Sequence, residues 1–89
     1  MTESQKPLLE FPCSWPIKVI GKDSDGFERL VVEILGRHVP AAATGEVTTR
    51  PSGAGTYLAV SVTFTATSQR QLDDLYRELG THERVVMVM

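Results

Sequence analysis

A short turn bounded by two glycines holds the residues best suited to binding chemistry in this chain. It consists of Gly21, Lys22, Asp23, Ser24, Asp25 and Gly26, and is called the 21–26 turn below. A glycine-flanked loop that leads into a helix offers free backbone amides and a partial positive charge, and both suit a carboxylate. The ammonium group of Lys22 would add a second contact. The sequence therefore predicts these six residues as a ligand-binding site.

The same turn also has a purely structural interpretation, which its residue types favour. Aspartate is a common helix N-cap, so Asp25 would cap the following helix, and the charges of Asp23 and Asp25 would repel an anion. A phosphate-binding loop is excluded, because its motif needs a glycine at position 16 before the Gly-Lys pair, and that residue is Pro16.

The cysteine and the histidines are too scattered for a metal site or a catalytic group. Cys13 has no basic neighbour in the sequence to activate it, so we expect a small buried residue. His38 continues an apolar helix stripe and is expected at the core edge, whereas His82 falls in a loop. Neither histidine has a second ligand at metal spacing, and no activated nucleophile can be named. We expect no metal, no cofactor and no enzymatic activity.

Length and composition indicate one small domain with a modest core. The chain has 89 residues, 42% of them hydrophobic, and a formal net charge of −2, which does not suit a nucleic-acid-binding protein. We expect a flexible polar lead over residues 1–7 and a single domain over residues 8–89. No apolar signal segment or run of ~20 apolar residues is present, and a lone cysteine suits a reducing compartment. These features predict a cytoplasmic protein that makes no membrane contact.

A strand before the turn and a helix after it must position the candidate site. Alternation predicts a strand over Cys13–Lys22, with Ile17 and Val19 on one face. Apolar residues at helical spacing predict a helix over Phe27–His38. Pro40 should end this helix, because the residue before a proline avoids the helical conformation.

The second half of the chain repeats this plan. The same kinds of pattern predict a strand over residues 46–50, a turn over 51–55 and a strand over 56–67. They then predict a helix from residue 68 that stops at Gly80, and a strand over 84–89. Ser68 and Gln71 have the spacing of a capping box at the start of the second helix. The element order is therefore β-α-β-β-α-β.

The third strand shows that one face of the sheet is polar. Its two faces carry Leu58, Val60, Val62, Phe64 and Ala66 on one side, and Tyr57, Ala59, Ser61, Thr63 and Thr65 on the other. A sheet with one polar face takes both helices on its other face. The sequence thus predicts an α+β protein with a ferredoxin-like fold, in which strands one and three are central in a four-stranded antiparallel sheet.

The polar sheet face is the second candidate site. RNA-recognition modules of this topology stack bases on two or three aromatic side chains, whereas Tyr57 is the one aromatic residue on the third strand's polar face. A face of small and hydroxyl-bearing residues favours contact with another protein. We predict an interaction surface that contains Tyr57, Ser61 and Thr63.

The sequence from residue 8 to residue 89 resembles the YbeD family of small bacterial proteins. The resemblance rests on residues 9–13, 16–19, 21–22, 26–27, 32–34, 37–38, 52, 55, 57, 61–63, 66–68 and 75–79. It implies an ACT-like regulatory domain and, as members are described, a protein that binds lipoic acid. ACT domains generally bind small molecules at the turn after strand one and pair as dimers. This chain departs from their pattern, since Asp25 stands where they carry a proline.

Three functional hypotheses follow. The first is a non-enzymatic regulatory protein, expected to form a homodimer, that senses lipoate or another small carboxylate metabolite at the 21–26 turn and passes its signal to a separate protein. The second is a ligand-free adaptor that docks onto a protein partner through the polar sheet face or an edge strand. The third, and least favoured, is RNA binding.

Overall fold

The computed structural model describes residues 10–22, 26–53 and 55–89. Its elements are β1 (Cys13–Lys22), α1 (Phe27–His38), a short 3₁₀ helix (Ala41–Ala43), β2 (Thr44–Ser52), β3 (Tyr57–Ala66), α2 (Gln69–Thr81) and β4 (Val85–Val88). The predicted lead over residues 1–7 lies outside the described residues. So do Asp23, Ser24 and Asp25 of the 21–26 turn.

The four strands form one antiparallel sheet in the order β2-β3-β1-β4. Strands β1 and β3 are central and pair along their whole length, from Cys13 opposite Ala66 to Lys22 opposite Tyr57. Both helices pack against the sheet and against each other. The ferredoxin-like prediction is confirmed, including the two central strands.

The core lies between the helices and the sheet. Its buried side chains come from every layer: Ile17, Val19, Phe27, Val31, Ile34, Leu35, Val39, Val60, Val62, Phe64, Ala66, Leu72, Leu75 and Leu79. Each of the larger side chains contributes about 1.5–3 kcal/mol by leaving water. The opposite face of the sheet carries no helix among the described residues and is called the open face below.

Helix α1 has the predicted bounds but not the predicted start. Gly26 occupies the N-cap position with φ 80°, a left-handed conformation that glycine adopts without strain, and its carbonyl accepts the first helical hydrogen bond from Leu30 at 2.9 Å. The prediction of Asp25 as N-cap is therefore wrong. At the other end Val39 is extended, as expected for the residue before Pro40.

Strand β2 is longer than predicted, and the following turn is shorter. Pro51 and Ser52 pair with β3 instead of starting the turn, which an edge strand allows because one side of its backbone needs no partner. The turn itself relies on two glycines with positive φ, Gly53 at 59° and Gly55 at 87°. The ring of Tyr57 packs over Gly53, where an added Cβ would lie 2.9 Å from Cδ2.

Helix α2 begins as predicted, with Ser68 Oγ accepting a hydrogen bond from the Gln71 amide at 3.1 Å. In a standard capping box the Gln71 side chain would accept a hydrogen bond from the Ser68 amide. Here Gln71 Oε1 accepts instead from the Thr67 amide at 2.8 Å. Gly80 does not end this helix. The helix continues to Thr81, whose hydroxyl donates to the Arg77 carbonyl at 2.9 Å and satisfies an acceptor of the last turn.

Candidate functional site

The described part of the 21–26 turn is closed on its core side. Gly21 lies inside β1, and a Cβ added there would collide with the ring of Phe27 and the carbonyl oxygen of Arg84. The Arg84 guanidinium carbon lies 5.8 Å from the centroid of the same ring, within reach of a cation–π interaction. The glycine at position 21 is therefore explained by packing, since the Phe27 ring fills the space above it.

The ends of the turn remain accessible. Lys22 is exposed at the end of β1, and a Cβ added at Gly26 would meet no atom within 4 Å. Both residues lie at the same end of the sheet, before α1. The binding prediction for this turn stays a prediction, since its three central residues fall outside the described ranges.

The open face is organised in rows that run across neighbouring strands. Side chains directly opposite each other in neighbouring strands share a face, so the register defines the rows. The first row is Thr48, Ser61, Lys18 and Met89; the second is Arg50, Ala59, Ile20 and Met87; the third is Ser52, Tyr57 and Lys22. The backbones of Lys18 and Met89 complete the first row with two hydrogen bonds of 3.0 and 2.8 Å.

Two adjoining depressions lie on this face. The larger, of about 540 Å³, spans the first row and reaches Pro16, Glu46 and Thr63. The second, of about 270 Å³, lies between Lys18 and Arg50, with Ser61 and Ala59 as its floor. Small residues on β3 between longer side chains on β1 and β2 produce this shape. Ala59 exposes only 8% of its surface, as expected for a methyl group between Arg50 and Ile20.

The open face differs in charge from the whole chain. Its described rows carry Lys18, Lys22 and Arg50, and Glu46 lies at the rim of the larger depression. The face is therefore net cationic, whereas the chain has a formal charge of −2. On the β4 side it becomes apolar, since Met87 and Met89 are 50% and 55% exposed.

The structure places the three predicted interaction residues on this face, but they differ in burial and in contacts. Ser61 is half-buried at the centre of both depressions, Thr63 is exposed at the edge of the larger, and Tyr57 packs over Gly53 in the third row. Lys18 and Arg50 also belong to this site, although the sequence did not predict them as site residues. Alternation already placed Lys18 on the polar face, but only the strand register brings Arg50 beside it.

The two histidines serve structural roles. His38 Nε2 donates to Glu78 Oε1 at 2.7 Å, and Arg37 forms an ion pair with the same carboxylate. The hydrogen bond from His38, assisted by the charge of Arg37, lowers the pKa of Glu78. His82 follows α2, and its Nδ1 accepts from the Arg84 amide at 3.2 Å. The prediction of a partnered core-edge His38 is confirmed.

The described residues offer little else for chemistry. Cys13 is a half-buried free thiol packed against the core. Within residues 10–22, 26–53 and 55–89, no three His, Cys, Asp or Glu side chains converge on a possible metal position. Neither α1 nor α2, the helices of the described ranges, is long and apolar enough to cross a membrane. The open face is therefore the main candidate site among the described residues.

Comparisons with known proteins agree on a family without a known activity. A family model described as "Protein of unknown function (DUF493)" matches residues 6–89. A UPF0250 protein of Leptothrix cholodnii is 48% identical over 85 residues, covering 96% of this chain and 93% of its own. A UPF0250 protein of Chromobacterium violaceum is 39% identical, with 100% of both chains covered.

Solved structures support the fold alone. Protein HP0495 of Helicobacter pylori has a TM-score of 0.73 and 16% identity, with 96% of this chain and 89% of that chain covered. The ACT domain from GTP pyrophosphokinase of Chlorobium tepidum has a TM-score of 0.69 and 12% identity, with 88% and 96% covered. An ACT-like arrangement is thus shared despite low identity.

Proposed function

This chain belongs to the DUF493 family, which includes the YbeD proteins, and on that premise we propose that it is a non-enzymatic regulatory protein. It acts by binding a protein partner through the open face of its sheet. The proposal includes a cytoplasmic location and a homodimer.

One observation carries this proposal: both depressions described above adjoin on the open face. A surface opposite the helices is spared from core packing, so its residues are free to serve recognition. The described end of the 21–26 turn offers less room, because Phe27 fills the space above Gly21. The open face is therefore the stronger candidate of the two predicted sites.

A double variant, Tyr57→Ala with Thr63→Glu, tests the proposal. It removes a ring and adds a charge on the open face, without changing a residue of the core. The control, Arg29→Ala with Gln69→Glu, alters exposed residues on the helices. We expect the double variant, and not the control, to lose recovery of the partner from lysate. Partner recovery equal to that of the control would show that the open face is not the binding surface.

A second candidate function is the sensing of a small carboxylate, with lipoate as the family resemblance implies. The open space around Gly26 favours it, because the N-terminal amides of α1 are then approachable. Titration of isotope-labelled protein with lipoate tests this function by NMR. Shifts centred on Lys22 and Gly26 would support the turn, shifts on Lys18 and Ser61 would move the ligand to the open face, and no shifts would leave the adaptor function.

A further inference from the structure

The open face has a cationic half and an apolar half, and their order follows from the strand register. The cationic half lies over β2, β3 and β1, where Lys18 and Arg50 are both exposed. The apolar half lies over β1 and β4 and presents Ile20, Met87 and Met89. A partner that covers the cationic half must therefore bring negative charge to it.

The spacing of the two cations is defined by the sheet. Lys18 and Arg50 lie two strands and two residues apart, since Lys18 is opposite Ser61 and Arg50 is opposite Ala59. With strands about 4.8 Å apart and about 3.4 Å per residue, their Cα atoms are separated by roughly 12 Å. In an extended peptide, side chains four residues apart on one face are separated by about 13 Å. Two acidic residues at that backbone spacing therefore match the backbone spacing of Lys18 and Arg50.

The depression between Lys18 and Arg50 can accept the side chain that lies midway between those two carboxylates. Ser61 and Ala59 are small, so the depression of about 270 Å³ between Lys18 and Arg50 has room for one side chain. The hydroxyls of Thr48 and Ser61 line the same depression and can donate to a carboxylate. Charge, spacing and shape thus agree on one kind of occupant.

From this charge, spacing and shape we infer that the open face binds an extended acidic segment of a partner protein, with two carboxylates four residues apart and one side chain between them that enters the depression. This inference rests on the proposed function and names the chemistry of its partner. A nucleic acid fits less well, because the described rows offer Tyr57 as their one aromatic side chain and that ring packs over Gly53.

The test uses a defined peptide, acetyl-Glu-Ser-Leu-Ser-Glu-amide, and a control in which both glutamates are glutamines. NMR titration of the labelled full chain should show shifts at Lys18, Thr48, Arg50 and Ser61 with the first peptide only. Affinity should fall by about tenfold or more in Lys18→Glu with Arg50→Glu, because two attractive charges become repulsive. The milder pair Lys18→Gln with Arg50→Gln should weaken binding less.

A charge-matched control is available on the helices. Arg29→Glu with Arg70→Glu makes the same change of net charge at exposed positions in the first turns of α1 and α2, where glutamate is well tolerated. This control should bind the peptide like the wild type, apart from a small general charge effect. Equal losses in both double variants would overturn the inference, because net charge and not the open face would then explain binding.

Three further results would overturn the inference: no shifts at any peptide concentration, shifts outside the open face, or equal shifts with the glutamine peptide. An octamer of uridylate that moves the same amides at lower concentration would assign the face to nucleic acid instead. The proposed function fails separately, through the Tyr57→Ala and Thr63→Glu variant. If that variant loses its partner while the peptide does not bind, only the acidic-segment inference is wrong.

Discussion

The ring of Phe27 packs against Gly21, in the space that a side chain at position 21 would occupy. This contact joins the start of α1 to the end of β1 and gives the glycine a structural role. It also explains why the 21–26 turn, attractive in the sequence, is the weaker of the two candidate sites.

Gly21→Ala should destabilise the fold by about 1–3 kcal/mol, the usual cost of overpacking a core. The added methyl group meets both the Phe27 ring and the Arg84 carbonyl oxygen, so relief requires movement of backbone as well as side chain. Urea unfolding followed by Trp15 fluorescence measures the loss. The matched control is Gly80→Ala, which meets no atom within 4 Å in α2 and should stabilise by about 0.5–1 kcal/mol. A neutral Gly21→Ala would contradict this packing.

Tyr76→Phe should cost about 0.5–1.5 kcal/mol, the net contribution of one hydrogen bond. The indole Nε1 of Trp15 donates to the Tyr76 hydroxyl at 3.0 Å, which connects β1 to α2 in a partly buried setting. The same unfolding measurement applies, and the indole emission should also shift as its donor loses its partner. Tyr57→Phe on the open face serves as the control and should change neither quantity.

Ser68→Ala should lower stability by about 1 kcal/mol, because the hydroxyl satisfies the Gln71 amide at the start of α2. Ser68→Asp should restore most of it, since aspartate caps equally well. Thermal unfolding by circular dichroism distinguishes the two variants. Equal stability of the alanine and aspartate variants would show that this cap contributes little.

Glu78→Gln should reduce stability at neutral pH by less than about 1 kcal/mol, because the ion pair with Arg37 and His38 is partly exposed. The pKa of Glu78 is lowered in the folded state, so its charge stabilises the fold at pH values above its unfolded pKa. That stability is lost as the pH falls through the lower, folded value. The difference between wild type and variant should thus be present at pH 7 and shrink in strong acid.

Urea unfolding over a range of pH measures this dependence. Glu33→Gln, which neutralises an exposed carboxylate on α1, is the matched control and should show no comparable pH dependence. A difference that grows on acidification would contradict the sign of the pKa shift.

The sequence predicts most of the fold because the helices and the two central strands have clear periods. The alternation of β3 and the apolar helical spacing of α1 each predict one kind of element, and both are observed. The errors lie at boundaries, where backbone conformation matters more than residue pattern. Gly26 enters α1 with positive φ in place of a side-chain cap, and Pro51 remains in β2 because that strand is at the edge.

The candidate site is less predictable, because it depends on contacts between distant strands. Lys18 and Arg50 are 32 positions apart in the sequence and come together only through the pairing of β1 and β2 with β3. The filled space above Gly21 likewise depends on Phe27 and Arg84 meeting there. Neither the proximity of Lys18 and Arg50 nor the filled space above Gly21 can be predicted from residue type and spacing alone.

The most direct test of the open face as the binding surface is photo-crosslinking in living cells. A benzophenone amino acid replaces exposed Thr63 on the open face in one variant, and exposed Glu33 on α1 in the other. We predict a defined crosslinked species from position 63 and none from position 33. Crosslinking from position 33 alone would contradict this prediction and would move the binding surface to the helices.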